Sequence, residues 1–299
     1  MAPFSLPAVI ELSFTPIVTV AGLAVRLETL AAAAAIVLAL LLAALIARWT
    51  PVDLSLPPDA PSPDPEDDGP NRLRADDLLY ITIAAFPGAV VGGRLGYGLL
   101  HLDYYSANPG ALTDVAQGGL QLSLGAVGGI VTASIVAGLL GAPLGRWLHA
   151  LTLPLLLLLA LAKGAMILGG SGQGVPWSGD LATAYGGDGP WGSLAPAVPA
   201  YPAQAIEAVA ILAILAFTWW LMALGLFARR SGAVFFVGVG LWAVARALVA
   251  TLWRDPLVTG QLRMDQVISV VIAAACAVIV LAMSARAIAA AVRGRRAAA

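Results

Sequence analysis

Long apolar runs dominate the chain. Seven of them, near 29–48, 78–101, 119–141, 150–170, 204–226, 233–253 and 264–285, match the roughly 20 residues a helix needs to cross a hydrocarbon core about 30 Å thick. They predict an all-α membrane protein of about seven transmembrane helices, forming a single membrane domain over 1–299. Two longer joints interrupt the pattern. The first, 49–77, is rich in Pro and Asp and reads as a disordered loop. The second, 171–203, is rich in Gly, Pro and Trp and reads as a loop segment on one face of the membrane.

Composition agrees with burial in lipid. Hydrophobic residues make up 60% of the 299 positions and charged residues 11%, against roughly 25% charged in a soluble domain. The net charge is −1 and all but one of the 16 basic residues are Arg. No basic patch for nucleic acid appears. Cys276, the single cysteine, lies in an apolar run, which leaves no internal disulfide or cysteine metal site and suits a packing role. Met1 to Gly22 lacks the positive start of a cleavable signal peptide, so the first apolar run is expected to be retained.

Basic residues near span ends give an expected orientation, because cytoplasmic loops keep Lys and Arg. One set of joints holds ten: Arg48, Arg72, Arg74, Arg146, Arg229, Arg230, Arg286, Arg293, Arg295 and Arg296. The other set holds three, Arg26, Arg254 and Arg263. That count places the amino terminus outside, the carboxyl terminus and 49–77 in the cytoplasm, and 1–28, 102–118, 171–203 and 254–263 on the outer face. Trp177, Tyr185, Trp191 and Tyr201 then suit the headgroup layer, and 171–203 is placed to cover a site opening outward.

Arg94, Lys163, Glu207 and Arg246 fall within or at the edge of these runs, where a charge costs at least ~2.5 kcal/mol and must face protein or water. Two readings stay open. Glu207 can pair with an arginine and hold helices together, or an excess of cations over one carboxylate can bind an anionic phosphate. Gly92, Gly93, Gly96, Gly118, Gly119, Gly125, Gly128 and Gly129 concentrate on the second and third spans, where small residues let helices approach. Gly169, Gly170, Gly172 and Gly174 break the end of the fourth span, and irregular backbone at that depth needs a cavity to line. No glycine-rich phosphate loop follows a strand and no histidine pair has metal-ligand spacing, so no cofactor or metal is expected. His101 and His149, at ends of different spans, read as interfacial residues.

The motif order Gly93-Arg94-Leu95-Gly96-Tyr97, Gly118-Gly119-Leu120 with Gly128-Gly129, Tyr201-Pro202-Ala203-Gln204 with Glu207, Arg246, then Met264-Asp265-Gln266 resembles the prolipoprotein diacylglyceryl transferase family over residues 78–285. The resemblance implies transfer of the diacylglyceryl group of phosphatidylglycerol to the lipobox cysteine of a prelipoprotein signal peptide, in the bacterial inner membrane. It implies that Arg246, Lys163 and Glu207 serve catalysis. Arg94, Arg246, Tyr97 and Gln204 would then bind phosphatidylglycerol.

The chain also departs from the family pattern. The family histidine falls on Ser123, its asparagine on Met166, one glutamate on about Ser171 and another on Ala250, while Lys163 stands where the family has arginine. The family's first-span tyrosine falls near Glu28, which leaves Glu28 or Ser123 as substitutes for the missing base. A positioned base contributes about 10²–10⁴-fold, and a thiol of pKa about 8.5 is already partly ionised near neutrality, so its loss slows such an enzyme without abolishing it. A non-catalytic lipid-binding protein on the same scaffold and a small-molecule transporter are the alternatives. The broken helix near Gly169 suits a transporter site, but the two halves show no inverted hydropathy repeat.

Overall fold

The computed structural model describes residues 9–13, 15–57, 59–63, 69–114, 119–186, 198–227, 232–255 and 257–297. Gly118, Trp191, Arg229 and Arg230 lie outside them.

The chain opens with three short strands, β1 (Ile10–Leu12), β2 (Ile17–Val20) and β3 (Leu23–Arg26). Between β2 and β3 the turn residues Ala21 and Gly22 take φ of 50° and 82°, the doubly positive geometry that matches a two-residue hairpin to strand twist. There follow α1 (Leu27–Ala47), α2 (Ala75–Leu100), the short α3 (Leu102–Ala107), α4 (Leu122–Leu139) and α5 (Leu144–Gly169). Strand β4 (Thr183–Tyr185), α6 (Ala203–Ala223), α7 (Ala233–Val249), the hairpin β5 (Leu257–Thr259) and β6 (Leu262–Arg263), and α8 (Met264–Ala297) complete it. The helices α1, α2, α4, α5, α6, α7 and α8 are long and apolar enough to span a membrane. Their outward residues are large and apolar, such as Phe86, Val209 and Leu281, as a lipid-facing surface requires.

Helix pairs follow the small residues. α2 packs along α4, α1 along α5, α7 along α8 and α5 along α6. At the α2–α4 seam a Cβ added to Gly88, Gly92 or Gly128 would overlap a backbone carbonyl of the other helix, so these glycines set the distance between the two. One apolar cluster at the centre of the bundle joins Leu156, Ile211, Trp242 and Ile272. A second joins Ala43, Ala47, Leu73 and Trp147 where α1 ends and α5 begins.

Three features differ from the hydropathy pattern. α5 starts at Leu144, six residues before the apolar run, because Pro143 presets the helix start after the turn at Gly141, whose φ is 67°. The polar residues Arg146 and Trp147 of that first turn are buried. The described part of 49–77, expected to be disordered, folds around Asn71, which is fully buried. Asn71 donates to the carbonyl of Asp53 at 2.8 Å and accepts from the Asp53 amide at 2.8 Å. Composition does not reveal one side chain that ties a loop together.

The 171–203 segment also holds secondary structure. β4 pairs in parallel with β1, Ile10 opposite Thr183, and the chain returns to bridge Thr183 with Ala200. Trp177 stacks on Tyr201 at 4.2 Å. Tyr185, expected at the headgroup layer, is instead buried at 2% exposure.

Candidate functional site

The site begins where α5 stops. Gly170 ends that helix in the left-handed region at φ 69° and Gly172 repeats the conformation at φ 77°, which frees the backbone to turn back under β4. Within the bundle beside this turn, four buried charges meet. Arg246, in the last turn of α7, donates through Nη1 to both carboxylate oxygens of Glu207 on α6, at 2.8 and 3.0 Å. Its Nη2 lies 2.7 Å from Oδ2 of Asp265 in the first turn of α8, and its Nε donates to Ser123 Oγ on α4 at 2.9 Å. Lys163 on α5 reaches the other side of Glu207, Nζ to Oε2 at 3.1 Å. Exposure is 0% for Glu207, 2% for Asp265, 3% for Lys163 and 6% for Arg246, so these pairs are not screened by water.

Asp265 changes the electrostatics expected from sequence. With Lys163 and Arg246 set against Glu207 and Asp265 the cluster holds two cations and two carboxylates, and the expected excess of positive charge is not there. The quartet satisfies itself. An arriving phosphate must exchange with a carboxylate rather than fill a vacant charge. Gln121 caps α4 and also donates to Asp265, while its backbone amide donates to the Gly93 carbonyl at 2.8 Å.

Arg94 does not join this network. Its Nε donates to the Leu112 carbonyl at 2.8 Å, Nη2 to those of Ala111 and Asp114 at 2.9 Å, and Nη1 to that of Gly119 at 3.3 Å. Arg94 and Arg246 share no hydrogen-bond partner among the described residues. The nearest link runs from Gly93 through Gln121 to Asp265. Arg94 thus clamps the connection between α3 and α4. Tyr97 belongs to the same corner, its ring tilted against that of His101 at 4.2 Å with the Gly119 backbone against it.

Two other sequence candidates lie beside the turn that ends α5. Glu28, in the first turn of α1, accepts from Ser171 Oγ at 2.5 Å and pairs with Arg26 at 3.2 Å. Its carboxylate packs so closely on Gly169 that a Cβ there would overlap it. Gln204 donates to the Tyr185 hydroxyl at 3.3 Å, and that hydroxyl donates to the Ile167 carbonyl at 2.8 Å. Burial pushes the Tyr185 phenol above its ordinary range, so it stays a donor. Gln204 Oε1 is buried with no partner among the described residues. Ser123 is held between Arg246 and Asp265, the latter at 3.3 Å.

Sequence reasoning gave no role to Asp265, Gln121 or Trp253. Trp253 stands with its ring 4.5 Å from Lys163 Nζ and against Gly172, between the ion cluster and the turn. A signal for Asp265 did exist: an acidic residue at the head of an apolar run, as Glu207 is. Among the described residues no group of three or more His, Cys, Asp or Glu is arranged for a metal ion.

Proteins called phosphatidylglycerol–prolipoprotein diacylglyceryl transferase in Streptococcus pneumoniae strains Hungary19A-6 and JJA and in serotype 2 strain D39 are similar to one stretch of this chain. They are 39% identical over 65 residues, 22% of this chain and 23% of theirs. The aligned stretch therefore spans less than a quarter of those relatives. The family model for prolipoprotein diacylglyceryl transferase matches residues 15–282, which hold all seven apolar helices up to most of α8 and every residue of the ion cluster, and the chain belongs to that family.

Proposed function

We propose that this multi-pass membrane protein transfers the diacylglyceryl group of phosphatidylglycerol to the lipobox cysteine of prelipoproteins, in the bacterial inner membrane, with 1–28, 102–118, 171–203 and 254–263 on the outer face. The observation that carries the reading is the convergence of Arg246, Lys163 and Glu207, from three separate spans, in one buried cluster beside the broken end of α5. These are the residues that the family resemblance assigns to the reaction.

In this reading the cysteine sulfur attacks the glyceryl carbon that bears the phosphate. The S–C bond forms, the C–O bond to phosphorus breaks, and the thiol proton passes to a carboxylate. The departing glycerol phosphate gains one negative charge, which Arg246 and Lys163 meet as their pairing with Glu207 loosens. Glu28 is the carboxylate for the proton, because Ser171 and Arg26 leave it at the edge of the cluster with its side chain 21% exposed. Ser123 and Glu207 are held by Arg246 and serve to place it. Gln204, with its free Oε1, orients the hydroxylated headgroup. Arg94 and Tyr97 shape the connection that borders the lipid path.

A second reading, lipid binding without transfer, is favoured by the balanced charge of the cluster and by Ser123 in place of a base. One experiment separates the two. The chain is expressed in a bacterium depleted of its own diacylglyceryl transferase. Restored growth with lipidated lipoproteins is expected. Failure to restore growth by a well-expressed, membrane-inserted chain that retains phosphatidylglycerol would establish the second reading.

A further inference from the structure

A cation that the cluster does not use lies at the other end of the bundle. Arg146 is the third residue of α5, whose 26 residues span about 39 Å, so it sits far from Glu28 and Gly169. It is 7% exposed. Its Nε donates to the Pro51 carbonyl at 2.8 Å, and its Nη groups have no partner among the described residues, carboxylates included. A guanidinium offers five N–H donors in a planar fork, so most of its capacity is open. Unlike His149 Nδ1, the Arg146 Nη nitrogens are not sealed inside the protein, so they reach the surface of the bundle and are open to a ligand.

A ring nitrogen and the start of the helix lie near it in the chain. His149, one turn on and on the same face of the helix, has a buried Nδ1 without a partner among the described residues. α5 itself begins after Pro143 with no side-chain cap; the Arg146 and Trp147 amides bond the Pro143 carbonyl, which leaves the Leu144 and Gly145 amides and the positive end of the helix dipole unmatched. A planar fork, a ring nitrogen and helix amides together suit a compact anion with several acceptor oxygens. At the end of a membrane-spanning helix, the anion present at that depth is the phosphate of a phospholipid, and basic pockets between spans hold such headgroups.

We infer that Arg146, with His149 and the first amides of α5, binds the phosphate of an anionic phospholipid from the leaflet opposite the one that meets the ion cluster. This lipid is not a donor for transfer. It fixes the start of α5 against the connection that carries Pro51. The inference does not rest on the transfer reading, since its site shares no residue with the cluster.

The test counts bound lipid. Full-length protein is purified with a mixture of phosphatidylglycerol and phosphatidylcholine, and the lipids retained per chain are read by native mass spectrometry. Arg146→Gln is expected to retain one phosphatidylglycerol fewer than wild type, and Arg146→Lys to weaken retention about tenfold, the loss of one charged hydrogen bond. Equal counts in wild type and Arg146→Gln would overturn the inference. Should Arg146→Gln not fold, His149→Leu carries the test, with weakened retention expected and unchanged retention contradicting it. An inorganic phosphate arm identifies the source. Thermal stabilisation of wild type by inorganic phosphate equal to that by phosphatidylglycerol would overturn the lipid assignment.

Discussion

Arg246 and Glu207 are 39 residues apart in sequence, yet one guanidinium nitrogen lies 2.8 and 3.0 Å from the two oxygens of the carboxylate. Neither charge has water to fall back on, so each depends on the other. Breaking such a pair from one side costs about 3–5 kcal/mol, while replacing both members with apolar groups of similar volume is often neutral or better. Arg246→Ala and Glu207→Gln are therefore each expected to lower the thermal stability of the detergent-solubilised protein by several degrees. The double variant Arg246→Met with Glu207→Leu leaves Lys163 and Asp265 buried without their partners, so it should lose more stability than either single variant and show no transfer. Unfolding curves of the three variants check the stability; recovered activity in the double variant would remove the role given to the pair.

Asp265 makes the cluster neutral, and its removal has a sign. Asp265→Asn leaves Lys163 and Arg246 against Glu207 alone, a net charge of +1 on the cluster. Phosphatidylglycerol is then expected to bind more tightly while transfer slows about tenfold, since a ground state held more firmly raises the barrier to release. Lipid retention and transfer rate, measured on the same preparation, check it. Weaker lipid retention in Asp265→Asn would show that the carboxylate positions Arg246 rather than opposing the ligand's charge.

The α2–α4 seam predicts a gradient among glycines. Gly92→Ala and Gly128→Ala place a methyl inside a backbone carbonyl of the facing helix, whereas a methyl added at Gly125 or Gly129 would stand 3.2 or 3.1 Å from the nearest carbonyl. The first pair should cost about 1–3 kcal/mol or more through forced separation of the helices, and the second pair clearly less. Thermal unfolding of the four variants ranks them, and equal loss at all four positions would mean that the seam relaxes.

Gly169→Ala tests Glu28 without touching it. The added methyl overlaps the Glu28 carboxylate and comes within 2.9 Å of the Glu28 Cβ, so the carboxylate must turn away and α1 must give slightly. Stability should fall by about 1–3 kcal/mol, as overpacking does, and transfer should fall about as far as in Glu28→Gln, on the order of 10²-fold for loss of a positioned base. A Gly169→Ala protein with full transfer activity would take Glu28 out of the reaction.

Much of this was legible in the chain. Each of the seven spans contains a long apolar run, and the break after Gly169 follows from four closely spaced glycines. Arg246, Glu207 and Lys163 stood out because a charge in an apolar run is costly enough to need a reason. What the sequence hid was pairing. Asp265 lies at the boundary of its run, where a carboxylate costs little by itself, so its signal was weaker than that of Glu207 and did not point to Arg246. Arg94 had the same signature as Arg246, but its donors go to backbone carbonyls of the connection after α3, and carbonyls leave no trace in composition. The Ser171 contact with Glu28 spans 143 residues and depends on the turn at Gly170, which sequence can announce but not aim.

The most direct measurement is a transfer assay with purified protein in vesicles containing phosphatidylglycerol, a peptide bearing a lipobox cysteine, and mass detection of the thioether together with release of glycerol phosphate. Wild type should yield both products in equal amount, and Arg246→Ala neither. Thioether formation by Arg246→Ala at the wild-type rate, or no product from folded wild type that binds the lipid, would contradict the account.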